Sequence, residues 1–112
     1  MSGITTHVLD TSLGKPAVGL TVHLNLREGG QLRPLAVSTT DADGRVRQFA
    51  TEAPLATGTY QLSFETAGYF LASQRETFFE RVTLEFSVAS AGEHYHVPLL
   101  LSPFGYTTYR GT

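Results

Sequence analysis

The sequence predicts an all-β fold, a two-sheet sandwich of about eight short strands with one short helix. Three observations predict it. Apolar and polar residues alternate with period two in run after run, most cleanly where Leu20, Val22, Leu24 and Leu26 interleave with Thr21, His23, Asn25 and Arg27. Turn signals such as Glu28-Gly29-Gly30-Gln31 and Asp41-Ala42-Asp43-Gly44 punctuate these runs, at the spacing of about 8 to 12 residues typical of sandwiches. One stretch, Ala67 to Thr77, lacks alternation and carries Leu71, Ala72, Gln74, Arg75 and Glu76; it reads as the helix.

In chain order, the first strand spans Ile4 to Asp10, with Ile4, Thr6 and Val8 on one face and Thr5, His7 and Leu9 on the other. Thr11 to Gly19 holds two glycines and a proline and reads as a loop. Leu20 to Arg27 is the second strand, turned at Gly29-Gly30 into a third over Leu35 to Thr40. The Asp-x-Asp-Gly turn leads into a short fourth strand, Arg45 to Ala50, and Thr51 to Thr57 is a loop. Gly58 to Thr66 follows with Tyr60, Leu62 and Phe64 inward. After the helix, Phe78 and Phe79 are expected to pack its end onto the sandwich, and Arg81 to Ala89 turns Val82, Leu84, Phe86 and Val88 inward. Two last strands, His94 to Leu101 and Tyr106 to Arg110, are joined by a Pro103-Phe104-Gly105 turn. The pattern stops inside a strand, which suggests that the chain end itself is placed.

The 112 residues suit one domain, residues 1–112, with no second-domain linker or repeat. A chain of this size buries roughly two-thirds of its unfolded surface, enough for a core without staples. It has no cysteine, hence no disulfide and no thiolate metal site. A formal charge of -2 with scattered basic residues argues against nucleic acid or an anionic membrane as partner. No run is apolar enough to span a bilayer, and the N-terminus lacks the pattern of a secretory leader, so the expected location is cytoplasmic.

The histidines are the first candidates for chemistry. His94 and His96 point to one face of their strand, while Val97, Leu99 and Leu101 point to the other. Same-face imidazoles two residues apart suit zinc, but a site needs a third ligand and none stands at a recognisable spacing. His7 lies on the Thr5 face of the first strand, and His23 reads as a solvated surface residue. Arg45, directly after the Asp-Gly turn, could serve as a fixed guanidinium for a planar anionic group. Asp41-Ala42-Asp43-Gly44 opens like a calcium loop, but the following residues do not continue that pattern.

Three stretches carry a resemblance. They are Thr6-His7-Val8-Leu9-Asp10 with Gly14-Lys15-Pro16-Ala17, then Thr40 to Arg45, then the run from Glu93-His94-Tyr95-His96 to Tyr109-Arg110-Gly111-Thr112. With the strand order they cover essentially the whole chain, and the chain resembles the 5-hydroxyisourate hydrolases of the transthyretin-like protein family. That family usually ends Tyr-Arg-Gly-Ser; here the terminal hydroxyl stays and a methyl is added.

The resemblance implies a transthyretin-like sandwich, a homotetramer built as a dimer of dimers, and active sites at the mouths of a channel between dimers. It implies hydrolysis of 5-hydroxyisourate to 2-oxo-4-hydroxy-4-carboxy-5-ureidoimidazoline in urate degradation, without metal or other cofactor. His7, Arg45 and His96 are the implied catalytic residues, and Tyr109, Arg110, Thr112 and His94 the residues around the substrate. A histidine suits activation of water near neutral pH, and the choice between His7 and His96 stays open. Arg45 suits the developing oxyanion. Strand alternation sets Arg110 and Thr112 on one face and Tyr109 on the other unless the tail bends at Gly111; the terminal carboxylate could then accept a hydrogen bond from an imidazole. The competing expectations are a non-catalytic carrier of an apolar ligand in the channel, a zinc hydrolase using His94, His96 and His7, and a purely structural sandwich domain.

Overall fold

Two sheets stack face to face in a computed structural model that describes residues 3–51 and 54–112. The first contains β1 (Gly3–Asp10), β2 (Lys15–Pro16), β5 (Arg45–Val46), β8 (His94–Ser102) and β9 (Gly105–Thr108). Its order is β2-β1-β8-β9, and β5 pairs with β1. The second contains β3 (Thr21–Glu28), β4 (Gln31–Thr39), β6 (Gly58–Phe64) and β7 (Val82–Val88), in the order β4-β3-β6-β7. The one helix, α1 (Thr66–Ala72), connects β6 to β7. Every pairing is antiparallel except that of β1 with β8, which is parallel.

The core follows the alternation. Ile4 and Val8 of β1, Val22 and Leu24 of β3, Tyr60, Leu62 and Phe64 of β6, Val82, Leu84 and Val88 of β7, and Tyr95, Val97, Leu99 and Leu101 of β8 are buried between the sheets. Full burial of one such aliphatic or aromatic side chain contributes about 1.5–3 kcal/mol. Tyr60 and Tyr95 reach backbone groups with their hydroxyls, at Ala56 and at Ala89 and Ser90, so neither buries an unpaired polar atom.

Element boundaries depart from the sequence expectation for local reasons. The third expected strand begins earlier, at Gln31, because the two-residue Gly29-Gly30 turn zips β3 to β4 from the turn outward. The ladder slips between Leu24 and Asn25, and Pro34, which cannot donate, sits on this edge strand. The expected strand Arg45 to Ala50 shortens to Arg45–Val46, since only these two residues find partners, His7 and Thr6. Within the loop Thr11 to Gly19, Lys15 and Pro16 add a short pairing to Asp10 and Leu9. Glu52 and Ala53 of the loop Thr51 to Thr57 lie outside the described residues. The helix ends at Ala72, shorter than its expected span; its Phe70 is fully buried, whereas Phe78 is 72% exposed and does not pack as expected. Phe79 meets Phe78 and Tyr106 edge to face. Among the described residues no helix is long and apolar enough to cross a membrane.

Candidate active site

The outer face of the β1–β8 pair collects the chemistry. Ile4, Thr6, Val8 and Asp10 of β1 are buried, so Thr5, His7 and Leu9 turn outward. The parallel register sets His96 beside Thr5 and His94 beside Gly3. On the other side of β1, Arg45 of β5 pairs with His7. Residues distant in sequence therefore share one small area of sheet.

The turn before β5 holds Arg45 in place. Asp41 Oδ1 accepts from the backbone N–H of Asp43 at 2.9 Å and of Arg45 at 3.0 Å. The Val8 N–H donates to the Gly44 carbonyl at 2.7 Å and clamps the turn onto β1. Gly44 is required there: its φ is +76°, and a Cβ would clash with the Val8 carbonyl oxygen. The Arg45 backbone N–H leads the influences that hold the Asp41 carboxyl below its usual range. Arg45 is half-buried. Every other arginine pairs with a carboxylate: Arg27 with Glu85, Arg33 with Glu28, Arg47 with Asp41 and Asp43, Arg75 with Asp10, Arg81 with Glu65, and Arg110 with Glu93. Among the described residues the Arg45 guanidinium has no such partner, which leaves it available to an external oxygen.

Thr5 stands between the two histidines. Its Oγ1 lies 2.7 Å from His96 Nδ1 and 3.0 Å from His94 Nε2. The imidazole rings are nearly parallel, at 14°, with centroids 6.4 Å apart. Burial, then the positive charge of Arg45, then His94 and His7, lower the His96 pKa below its ordinary value. These influences favour the neutral form of the His96 imidazole. Among the described residues no group of three or more His, Cys, Asp or Glu side chains is arranged to hold a metal ion.

The tail divides around Gly111. The Gly111 N–H donates to the His96 carbonyl at 2.8 Å. A Cβ on Gly111 would come within 2.7 Å of His96 Cδ2 and 3.0 Å of Pro98 Cγ, so only glycine lets the chain lie this close to the imidazole. Thr112 enters the wall of a cavity of about 360 Å³ lined also by Thr5, Thr6, Arg45, His94 and His96. His7 stands beside this cavity, across from Arg45, rather than in its wall. Tyr109 and Arg110 go elsewhere, to a cleft of about 230 Å³ with Leu84, Phe86, Tyr95 and Val97. There the Arg110 guanidinium lies 4.5 Å from the Tyr95 ring centroid and 3.5 Å from Glu93. The alternation expected for the tail fails because β9 ends at Thr108 and the residues beyond it leave strand geometry. No hydrogen bond joins the chain-terminal carboxylate to an imidazole among the described residues.

His23 lies far from this group, on the second sheet, 3.7 Å from Glu65. A larger cavity of about 490 Å³ opens near Leu24, Phe49 and Leu55, but among the described residues its only ionisable side chain is Arg47, already paired with Asp41 and Asp43. Sequence reasoning missed Thr5. The available signal was its period-two relation to His7; its meaning depends on the parallel neighbour β8.

Fold and site together define a β-sandwich whose outer sheet surface gathers three imidazoles, a threonine hydroxyl and a guanidinium with no carboxylate partner among the described residues. The chain belongs to the HIUase/Transthyretin family, whose family model matches residues 4–111. It is 47% identical over 116 aligned positions to a 5-hydroxyisourate hydrolase of Caulobacter vibrioides, covering 100% of both chains. Among solved structures it resembles the 5-hydroxyisourate hydrolase of Klebsiella pneumoniae, with 42% identity, a TM-score of 0.85, and coverage of 97% of this chain and 98% of that one. It also resembles sea bream transthyretin in complex with thyroxine, with 30% identity, a TM-score of 0.90, and coverage of 97% and 94%. The backbone thus fits both branches of the family, and side chains must decide between them.

Proposed function

We propose that this chain hydrolyses 5-hydroxyisourate, opening the six-membered ring of that planar bicyclic compound at an amide. The observation that carries this reading is the Arg45 guanidinium, without a carboxylate partner among the described residues, sharing a cavity with the His96 imidazole, in a chain similar over its full length to 5-hydroxyisourate hydrolases. A cation free of carboxylates, in a partly buried cavity, can stabilise an oxyanion that forms only during reaction.

The chemistry needs an attacking water and a place for charge. One imidazole of the His7–His96 pair accepts a proton from water, and the other orients the water or the substrate. The water oxygen bonds to the ring carbonyl carbon while the carbonyl electron pair moves onto its oxygen beside Arg45. The tetrahedral intermediate then collapses, the C–N bond breaks, and the departing nitrogen takes the proton from the imidazolium. Atoms and charge balance without any cofactor. Thr112 and His94 shape the cavity wall.

The homotetramer belongs to this proposal. In a single copy Tyr109 and Arg110 stand outside the cavity, and Phe104, Tyr106 and Tyr109 are exposed around the β9 edge. Packing of further copies over this edge would cover them and narrow the site. Light scattering is expected to give about four times the 12.2 kDa of one chain.

The backbone likeness to a thyroxine-bound transthyretin supports a second reading, a carrier of a small apolar ligand. A carrier of an apolar ligand has no use for an imidazole set beside a guanidinium that lacks a carboxylate partner among the described residues. The test is an ultraviolet assay in which urate oxidase generates 5-hydroxyisourate in place, because that compound decays by itself. Added protein is expected to accelerate the loss of absorbance well above the spontaneous rate, equally with and without chelator. No acceleration would overturn the hydrolase and leave the carrier; loss with chelator would point to a zinc hydrolase.

A further inference from the structure

The Thr5 hydroxyl carries one hydrogen, so it donates to one of its two imidazole neighbours and accepts from the other. Two neutral arrangements meet that count. In the first, His94 Nε2–H donates to Thr5, Thr5 donates to His96 Nδ1, and His96 carries its ring hydrogen on Nε2. In the second, every bond reverses: His96 Nδ1–H donates to Thr5, Thr5 donates to His94 Nε2, and His94 carries its hydrogen on Nδ1.

His94 Nδ1 decides between them. This atom is buried and has no hydrogen-bond partner among the described residues. The second arrangement would place an N–H there with nothing to accept it. The first leaves only an unused lone pair, and an orphaned buried N–H is the rarer fault in folded proteins. The nearly parallel rings fit a chain that runs from one imidazole through the hydroxyl to the next.

We propose that Thr5 is a positioning residue: with His94 behind it, it holds His96 as the Nε2–H tautomer and so presents a hydrogen-bond donor to the cavity. The catalytic consequence rests on the hydrolase reading; the tautomer is a property of the resting protein. His96 Nε2 makes no hydrogen bond to the described residues and is not among the buried unpaired atoms, so it opens to the cavity. Its hydrogen can meet a carbonyl oxygen of the substrate alongside Arg45. The proton of the attacking water then goes to another base, and His7, outside the Thr5 chain, is the imidazole left for it.

The test reads the histidine ring nitrogens of the full chain by ¹⁵N-edited NMR at about pH 8, where imidazoles are neutral. His96 is expected to show a bare Nδ1 and a protonated Nε2. Thr5→Val should mix the two tautomers and lower kcat at least about ten-fold with KM nearly unchanged, and Thr5→Ser should restore both. A hydrogen on Nδ1 of His96 in the unsubstituted protein would overturn the proposal, as would an unchanged tautomer in Thr5→Val. If Thr5→Val does not fold, the unsubstituted protein and Thr5→Ser still decide. Absence of hydrolysis in the unsubstituted protein would sink the hydrolase reading, while the NMR result would still judge the tautomer.

Discussion

Asp10 and Thr5 lie on the same strand, one facing the core and one facing out, and their surroundings are built in opposite ways. The Asp10 side chain is fully buried, and both its oxygens are occupied. Oδ1 accepts from the Ser12 hydroxyl at 2.6 Å and from the backbone N–H of Ser12 and Leu13. Oδ2 accepts from Tyr69 and from Arg75, each at 2.7 Å. Arg75 in turn donates to Ser12 and Ser73 and lies over the Phe70 ring. Burial pushes the Asp10 carboxyl up, but hydrogen bonds from Arg75, Ser12 and Tyr69 outweigh it and bring its pKa to about 2. Around Thr5, by contrast, Arg45 has no carboxylate and His94 Nδ1 no partner among the described residues, and the His96 pKa is lowered. A saturated polar cluster ties α1 to the end of β1; a less saturated one lines the cavity proposed for the substrate.

That contrast breaks if either cluster does the other's work. The largest effect is expected at the less saturated one: His96→Asn or Arg45→Gln should lower kcat by about 10³-fold, about 4 kcal/mol of barrier. Calorimetry should find the Tm within about 2 °C of the unsubstituted protein, since surface-facing changes cost little stability. Near-normal rates in either variant would dismiss the site. Asp10→Ala should do the reverse. Removing one partner of a buried ion pair costs about 3–5 kcal/mol, read as a lower urea midpoint, while the folded fraction keeps its kcat.

Acid should separate the clusters by pH. The Asp10 pKa is depressed from 3.8 to about 2, so its contribution is present above about pH 4 and is lost as pH falls through 2. The loss is about 2 kcal/mol, measurable by urea titrations across that range and absent in Asp10→Ala. His96 has a lowered pKa as well, so the unfolded chain takes up its proton first and acidification below about pH 6.5 costs stability. NMR titration should place the His96 midpoint below that of a free histidine, and Arg45→Gln should move it upward. A midpoint unmoved in that variant would separate Arg45 from His96 electrostatically.

The smallest effect is expected at the hinge of the tail. Gly111→Ala forces a Cβ to within 2.7 Å of His96 Cδ2 and 3.0 Å of Pro98 Cγ, so the imidazole or the tail must shift. A loss of roughly ten-fold in kcat is expected, with stability nearly kept. Deleting Thr112 alone should cost less than deleting Tyr109 to Thr112.

Much of the sandwich was legible because its signals are local. The alternation of Leu20 to Arg27 and of Gly58 to Phe64 fixes which side chains face inward, and Gly29-Gly30 and Asp43-Gly44 mark turns by backbone freedom. His7, Arg45 and His96 were nominated from a resemblance in three separated stretches, and β1, β5 and β8 do bring them to one outer face. Strand ends were less legible. The β5 pairing stops at Val46 although β1 runs on to Gly3, and β9 stops at Thr108, which sends Tyr109 and Arg110 away from Thr112.

By itself, then, the sequence determined a mainly β chain, its inward faces and most of its turns, since period-two patterning and turn chemistry act over a few residues; the candidate site residues came from the family resemblance. Only the tertiary structure decided that Thr5 sits between His94 and His96, that Arg45 meets no carboxylate among the described residues and that Gly111 lies against an imidazole. Those outcomes depend on the parallel register of β1 with β8, strands from opposite ends of the chain. Such a register is set by the packing of the whole sandwich against its core, which no local pattern encodes.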